Sequence, residues 1–294
     1  MKAPRPLRPG QILSVVAPSG PFDVEAFQRG IVFLRERYDV RYDESITTRR
    51  GFLAGDDARR LAELRNALAD DSDALVAVRG GYGATRLLPD LAIDEIAAAN
   101  KPLVGFSDVT ALHAAWARAG VGSWHAPMVA WLGNADGDAR QQWTDALEGA
   151  PTTFDGLVPI HGATPVQGRL VGGNLAVLAA LAGTPHAPPL DDAVLLLEEV
   201  GEAPYRIDRM LTTLRQAGWF DRVAGVLFGQ LHQCEGKYDT SAEEVVRAHF
   251  RVGSCPAWSG APVGHGPENA AVPLGAMLEI EGHRARVVPD RERE

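Results

Sequence analysis

Two hydrophobic periods alternate along the first half of the chain. Gln11 to Ala17 (QILSVVA) is a short β-branched run closed by Pro18-Ser19-Gly20. Asp23 then stands where it can cap a helix carrying Ala26, Ile31, Phe33 and Leu34. Val40 to Asp43 reads as a short second strand, and Asp56 to Leu68 as a helix with Leu61, Leu64 and Leu68 on one stripe. Ala74 to Val78 (ALVAV) and Pro102 to Phe106 (PLVGF) are continuous apolar runs of strand length. A helix is predicted over Val109 to Arg118 and a fifth strand over His125 to Val129. Short apolar strands separated by amphipathic helices indicate a parallel sheet covered on both faces, the doubly wound α/β arrangement.

The pattern changes near the middle. Between Gly149 and Gln167 the helical period fades into Pro151, Pro159, Pro165, glycines and threonines, which marks residues 151–166 as a linker. Residues 1–150 then form an N-terminal α/β domain and 167–294 a β-rich mixed C-terminal domain. In the latter, Asp192 to Leu197 and Ala224 to Gln230 are apolar strands. Pro204 to Ala217 is a helix with proline in its first turn and Gly218 at its end. Ser241 and Glu244 fit a capping box for the next helix. Met277 to Ile280 and Arg284 to Val288 read as a terminal hairpin.

Composition narrows the function classes. The chain has 294 residues, 46% of them hydrophobic and 23% charged, as an ordinary globular protein does. Its 29 basic and 38 acidic residues leave a formal charge of -9, which disfavours nucleic acid and anionic membrane as partners. Two cysteines, Cys234 and Cys255, exclude a disulfide-stapled scaffold and read as buried thiols. The N-terminus carries three prolines and no apolar stretch behind its basic residues, so no signal peptide is expected. No apolar run approaches the ~20 residues of a membrane span. The expected compartment is the cytoplasm.

Four local patterns can carry chemistry. Gly105-Phe106-Ser107-Asp108-Val109 lies between an apolar strand and a helix. A serine on such a turn is exposed at a helix N-terminus, where free N–H groups can hold an oxyanion. The Gly-x-Ser-x-Gly form is not met, and Ser107 would serve equally as a plain helix cap. Arg79-Gly80-Gly81-Tyr82-Gly83 follows the neighbouring strand and lets a backbone approach a ligand, or is simply a tight turn. Glu198, Glu199 and Glu202 follow the strand VLLL. Strand alternation sends Glu198 and Glu199 to opposite sides, so that one can face a cleft while the other is solvated. In Pro262-Val263-Gly264-His265-Gly266 the flanking glycines leave His265 free to reach a neighbour as a base. No metal-ligand spacing is present, and neither a metal nor a cofactor is expected. Together the four patterns supply a serine, a base, an acid and an oxyanion loop, which is what a serine acyl-transfer site needs.

The sequence resembles the L,D-carboxypeptidases, serine peptidases that include the microcin C immunity peptidases. The matching segments are VVAPSG (15–20), RGGYGATRLL (79–88), KPLVGFSDVTALH (101–113), GRLVGGNLAVL (168–178), LLLEEVGEAPYRIDRML (195–211) and PVGHG (262–266), in family order across nearly the whole chain. The resemblance implies Ser107 as nucleophile, His265 as base and Glu198 as the triad acid, with Glu199 its nearest rival. It implies an oxyanion hole from the N–H groups of Gly81 and Asp108, and a site between an α/β domain and a β-rich domain. The implied substrate is a muropeptide tetrapeptide losing its terminal D-alanine during peptidoglycan recycling, and the implied assembly is a homodimer. Tyr82, Arg86, Asn174, Arg206 and Arg209 are candidates for holding substrate, the arginines or Asn174 through its free carboxylate. Two other readings stand beside this one. One is an immunity-type peptidase acting on an acyl-nucleotide amide; the chain lacks an obvious insertion for such a ligand. The other is a non-catalytic muropeptide-binding protein.

Overall fold

The computed structural model describes residues 1–162, 165–236, 239–251 and 255–289. The first half runs β1 (Ile12–Val16), α1 (Val24–Arg35), β2 (Asp39–Arg41), α2 (Asp57–Ala69), β3 (Ala74–Ala77), α3 (Ile93–Ala99), β4 (Leu103–Gly105), α4 (Thr110–Arg118) and β5 (Ser123–His125). Helices α5 (Val129–Leu132) and α6 (Gly137–Leu147) follow. Then come β6 (Thr153–Asp155), β7 (Val158–His161), β8 (Val166–Asn174), α7 (Leu175–Leu181), β9 (Ala193–Val200), α8 (Pro204–Gln216) and β10 (Gly225–His232). The chain closes with α9 (Ala242–Phe250), β11 (Ala257–Ser259), β12 (Val272–Leu274), β13 (Met277–Glu281) and β14 (Arg284–Val288).

Among the described residues the strands form two mixed sheets. One has the order β12-β5-β4-β3-β1-β2 and is parallel except where β12 joins β5. The order turns back on itself at β1, as in a doubly wound sheet. The other has the order β6-β14-β13-β8-β9-β10-β11-β7, with β8, β9, β10 and β11 parallel at its centre. Both match the α/β class expected, with a second half richer in strand.

Local chemistry explains the elements that were legible. Asp23 and Asp56 accept the Ala26 and Arg59 N–H groups and start α1 and α2. Both halves of the capping box form at Ser241 and Glu244. Gly218, just past α8, has φ 73°, a conformation that favours glycine.

Two stretches differ from expectation, and one pairing was not expected at all. The strand expected over His125 to Val129 stops at His125, and α5 begins at Val129. Pro127 between them has no N–H to give to a ladder. The stretch expected as a linker, 151–166, carries β6 and β7, built into the edges of the second sheet by pairing with β14 and β11. Residues 163 and 164 of it lie outside the described residues. Proline and glycine there mark edge strands and turns rather than a tether. Finally, β12 crosses from the C-terminal half to pair with β5, Val272 opposite His125, so the first sheet is completed by residues far along the chain.

Candidate active site

The serine turn grows out of β4. Among the described residues Ser107 adopts φ 63°, and the side chain of Ser107 forms no cap bond. Phe106 stands at the cap position of the short 3-10 turn and Val109 at that of α4, so the plain capping alternative is not what the fold uses. A non-glycine residue held at positive φ on a strand-to-helix turn is strained, and here the strain presents the hydroxyl. The Gly80 backbone presses against it. A Cβ at Gly80 would lie 2.8 Å from Ser107 Cβ and 3.0 Å from Ser107 Oγ. Asp108 is buried and accepts the Ala84 N–H at 2.8 Å, which ties the glycine loop to the serine turn. Among the described residues the Gly81 N–H has no hydrogen-bond acceptor.

The acid and base come from the second half. Glu198, at the end of β9, is fully buried, and its Oε2 meets His265 Nδ1 at 2.7 Å. Gly264 has φ 129°, and a Cβ there would lie 2.8 Å from Glu198 Oε2, so only glycine admits the histidine loop this close. Gln230 Oε1 accepts the Gly266 N–H at 2.7 Å, and Asn269 Oδ1 accepts the Gly264 N–H at 3.1 Å, fixing the loop on both sides of His265. The His265 ring packs against Phe106, the residue before Ser107, with centroids 4.8 Å apart. Thus residues 107, 198 and 265 gather in one place. Ser107 Oγ itself has no hydrogen-bond partner among the described residues.

Glu199 points elsewhere, as alternation requires, but it is not solvated. Its Oε1 accepts Asn174 Nδ2 at 3.0 Å and the Val200 N–H at 2.8 Å; its Oε2 accepts the Ala176 N–H at 2.8 Å. Burial pushes its carboxyl above the ordinary value against these bonds. Asn174 Oδ1 also caps α7 by accepting the Val177 N–H, so both the nitrogen and the oxygen of its side-chain amide are engaged inside the protein. Arg86 is paired with Asp57 through Nη2 at 2.5 Å, and Arg206 with Glu202 at 3.2 Å and Tyr205. Tyr82 is exposed within the glycine loop, its ring 5.6 Å from that of Phe52. Cys234 and Cys255 are buried and unpaired, and burial pushes both thiols up to about 11. Among the described residues no cluster of three His, Cys, Asp or Glu side chains could hold a metal ion, and no helix is long and apolar enough to cross a membrane.

Comparison with known proteins places the whole chain. Residues 13–126 match the LD-carboxypeptidase N-terminal domain and residues 167–280 match the LD-carboxypeptidase C-terminal domain. The chain belongs to the LD-carboxypeptidase family. A putative carboxypeptidase of Synechocystis is 35% identical over 95% of this chain and 94% of its own. The murein tetrapeptide carboxypeptidase of Pseudomonas aeruginosa is 33% identical over 84% of this chain and 85% of its own. The crystal structure of muramoyltetrapeptide carboxypeptidase from Oxalobacter formigenes superposes with a TM-score of 0.85 at 26% identity, covering 94% of this chain and 97% of that one. This LD-carboxypeptidase is therefore an enzyme of the hydrolase class.

Local sequence patterns pointed to the serine turn, the glycine loop and His265. They missed Gln230 and Asn269. Gln230 left one trace, a polar residue ending an otherwise apolar strand; Asn269 left none.

Proposed function

We propose that this chain is a serine L,D-carboxypeptidase that removes the terminal D-alanine from muropeptide tetrapeptides, acting in the cytoplasm as a homodimer during peptidoglycan recycling. The observation that carries the reading is the buried Glu198 carboxylate held on His265 Nδ1, with the imidazole packed beside the strained Ser107 turn. The substrate class is supported by the murein tetrapeptide carboxypeptidase relative.

In this mechanism His265 takes the proton of Ser107 Oγ as the oxygen attacks the carbonyl carbon of the last peptide bond. The developing oxyanion lies against the N–H groups of Gly81 and Asp108, each such donor being worth on the order of 3 kcal/mol. Glu198 holds the Nδ1–H tautomer and balances the imidazolium. His265 then gives its proton to the departing amine, and D-alanine leaves. Water, deprotonated by the same imidazole, attacks the acyl-enzyme; the serine is restored and the tripeptide acid released.

Mass spectrometry of protein incubated with a muropeptide tetrapeptide tests this, beside Ser107→Ala and His265→Ala. Release of D-alanine by the wild type alone is the expected result. Binding of the tetrapeptide with no release by any form would make the chain a binding protein. Release from an acyl-nucleotide amide instead would move it to the immunity branch.

A further inference from the structure

Glu198 is fully buried, yet only one of its oxygens is partnered. Oε2 is held by His265, while Oε1 makes no hydrogen bond. His125 Nε2 lies 4.0 Å from that oxygen. His125 is also fully buried, and neither of its ring nitrogens has a partner. An unsatisfied acceptor and an unsatisfied donor thus share one buried space, which is unfavourable unless they meet. An approach of about 1 Å brings them to hydrogen-bond distance.

The surroundings bear on the charge His125 carries. Its ring faces Glu198, the His265 loop and His113, whose centroid is 6.4 Å away. His113 Nε2 is 2.9 Å from the Gly105 carbonyl, which can only accept, so that nitrogen bears the hydrogen. His113 Nδ1 then accepts from the Ser123 hydroxyl at 2.8 Å, and His113 has nothing left for its neighbour. Burial, with the nearby His113 and His265, pushes the His125 imidazole well below its ordinary value and keeps it neutral. It therefore has one N–H, and Glu198 Oε1 is the carboxylate oxygen beside it. The backbone holds this arrangement in place: His125 pairs with Gly105 of the serine's own strand and with Val272 of β12.

We propose that His125 is a positioning residue for the triad, donating from Nε2 to Glu198 Oε1 and fixing the carboxylate that orients His265. This rests on the triad reading above. A neutral donor holds the carboxylate without adding a positive charge that would compete with the imidazolium formed at His265.

Two measurements test it. In the wild type, nitrogen-15 NMR of the histidines is expected to show His125 as the neutral Nε2–H tautomer, with a resonance that moves in Glu198→Gln. An Nδ1–H tautomer, or a resonance indifferent to Glu198→Gln, overturns the proposal. This reading needs no substrate, so it fails separately from the substrate assignment. In kinetics, His125→Leu keeps bulk but removes the donor. Its kcat is expected to fall about 10- to 100-fold, the rate equivalent of a hydrogen bond to a charged group, with KM little changed. His125→Gln, which restores a neutral donor, is expected to recover most of the loss. Equal activity of His125→Leu and wild type, or equal loss in both variants, would refute it. If His125→Leu does not fold, the NMR reading decides.

Discussion

Ser107 holds φ 63°, a conformation that costs an L-residue about 1–2 kcal/mol. Glycine pays no such penalty. Ser107→Gly is therefore expected to be about 1 kcal/mol more stable than Ser107→Ala in urea unfolding, with neither variant active. A result in which Ser107→Ala is the more stable would mean the turn is not strained. Gly264 is the counterpart on the histidine side. A methyl group there meets Glu198 Oε2 at 2.8 Å and must move the loop. A displacement of about 1 Å at a catalytic group costs on the order of 100-fold in rate. Gly264→Ala is expected to lose that much in kcat/KM while remaining folded by circular dichroism.

Elements are tied together by buried polar contacts. Lys101, just before β4, donates to the Ala67 and Asp70 carbonyls at 2.9 and 2.7 Å and to Asp70 Oδ1 at 2.7 Å, pinning that strand to the end of α2. Lys101→Met removes these three bonds and is expected to cost about 1–3 kcal/mol in urea unfolding. Burial raises the Asp70 carboxyl, but hydrogen bonds from Lys101, Ser14 and Ser72 outweigh it and hold the group at about 2. A carboxyl lowered in the fold binds protons more readily when unfolded. Its stabilisation is thus full above pH 3.8, the ordinary value, and is lost as pH falls toward 2. Asp70→Asn is expected to flatten that part of the stability profile. His113, on α4, acts at higher pH. Burial lowers it to about 4, so the unfolded chain takes up a proton below pH 6.5 and the folded one does not. Stability is expected to decline from pH 6.5 to 4 in chemical denaturation, and less steeply in His113→Gln.

At the scale of the whole molecule, β12 joins the two halves. Val272 to Leu274 pair with Ser123 to His125, so the first sheet is closed at one edge by the C-terminal half. The three catalytic candidates likewise come from both halves. Fluorescence and circular dichroism are expected to report one coincident unfolding transition rather than two. Two separated transitions would show that the β12 pairing contributes little.

Much of this was legible in sequence because it is local. The alternation of apolar runs with helical stripes, the caps at Asp23, Asp56 and Ser241, and the serine between β4 and α4 each depend on residues close in the chain. Short irregular pieces were not legible. Pro127 ended a strand that composition alone would have continued, and 151–166 looked like a tether because edge strands tolerate proline and glycine. Alternation also determined that Glu198 and Glu199 must diverge. Which of them meets His265 was decided only in three dimensions, because it depends on where the 262–266 loop crosses β9 and on the N-terminus of α7 claiming the other carboxylate. The approach of His125 Nε2 to within 4.0 Å of Glu198 Oε1 belongs to the same class. Their separation of 73 residues carries no local signal, and burial within one packed interior is what makes each answerable to the other.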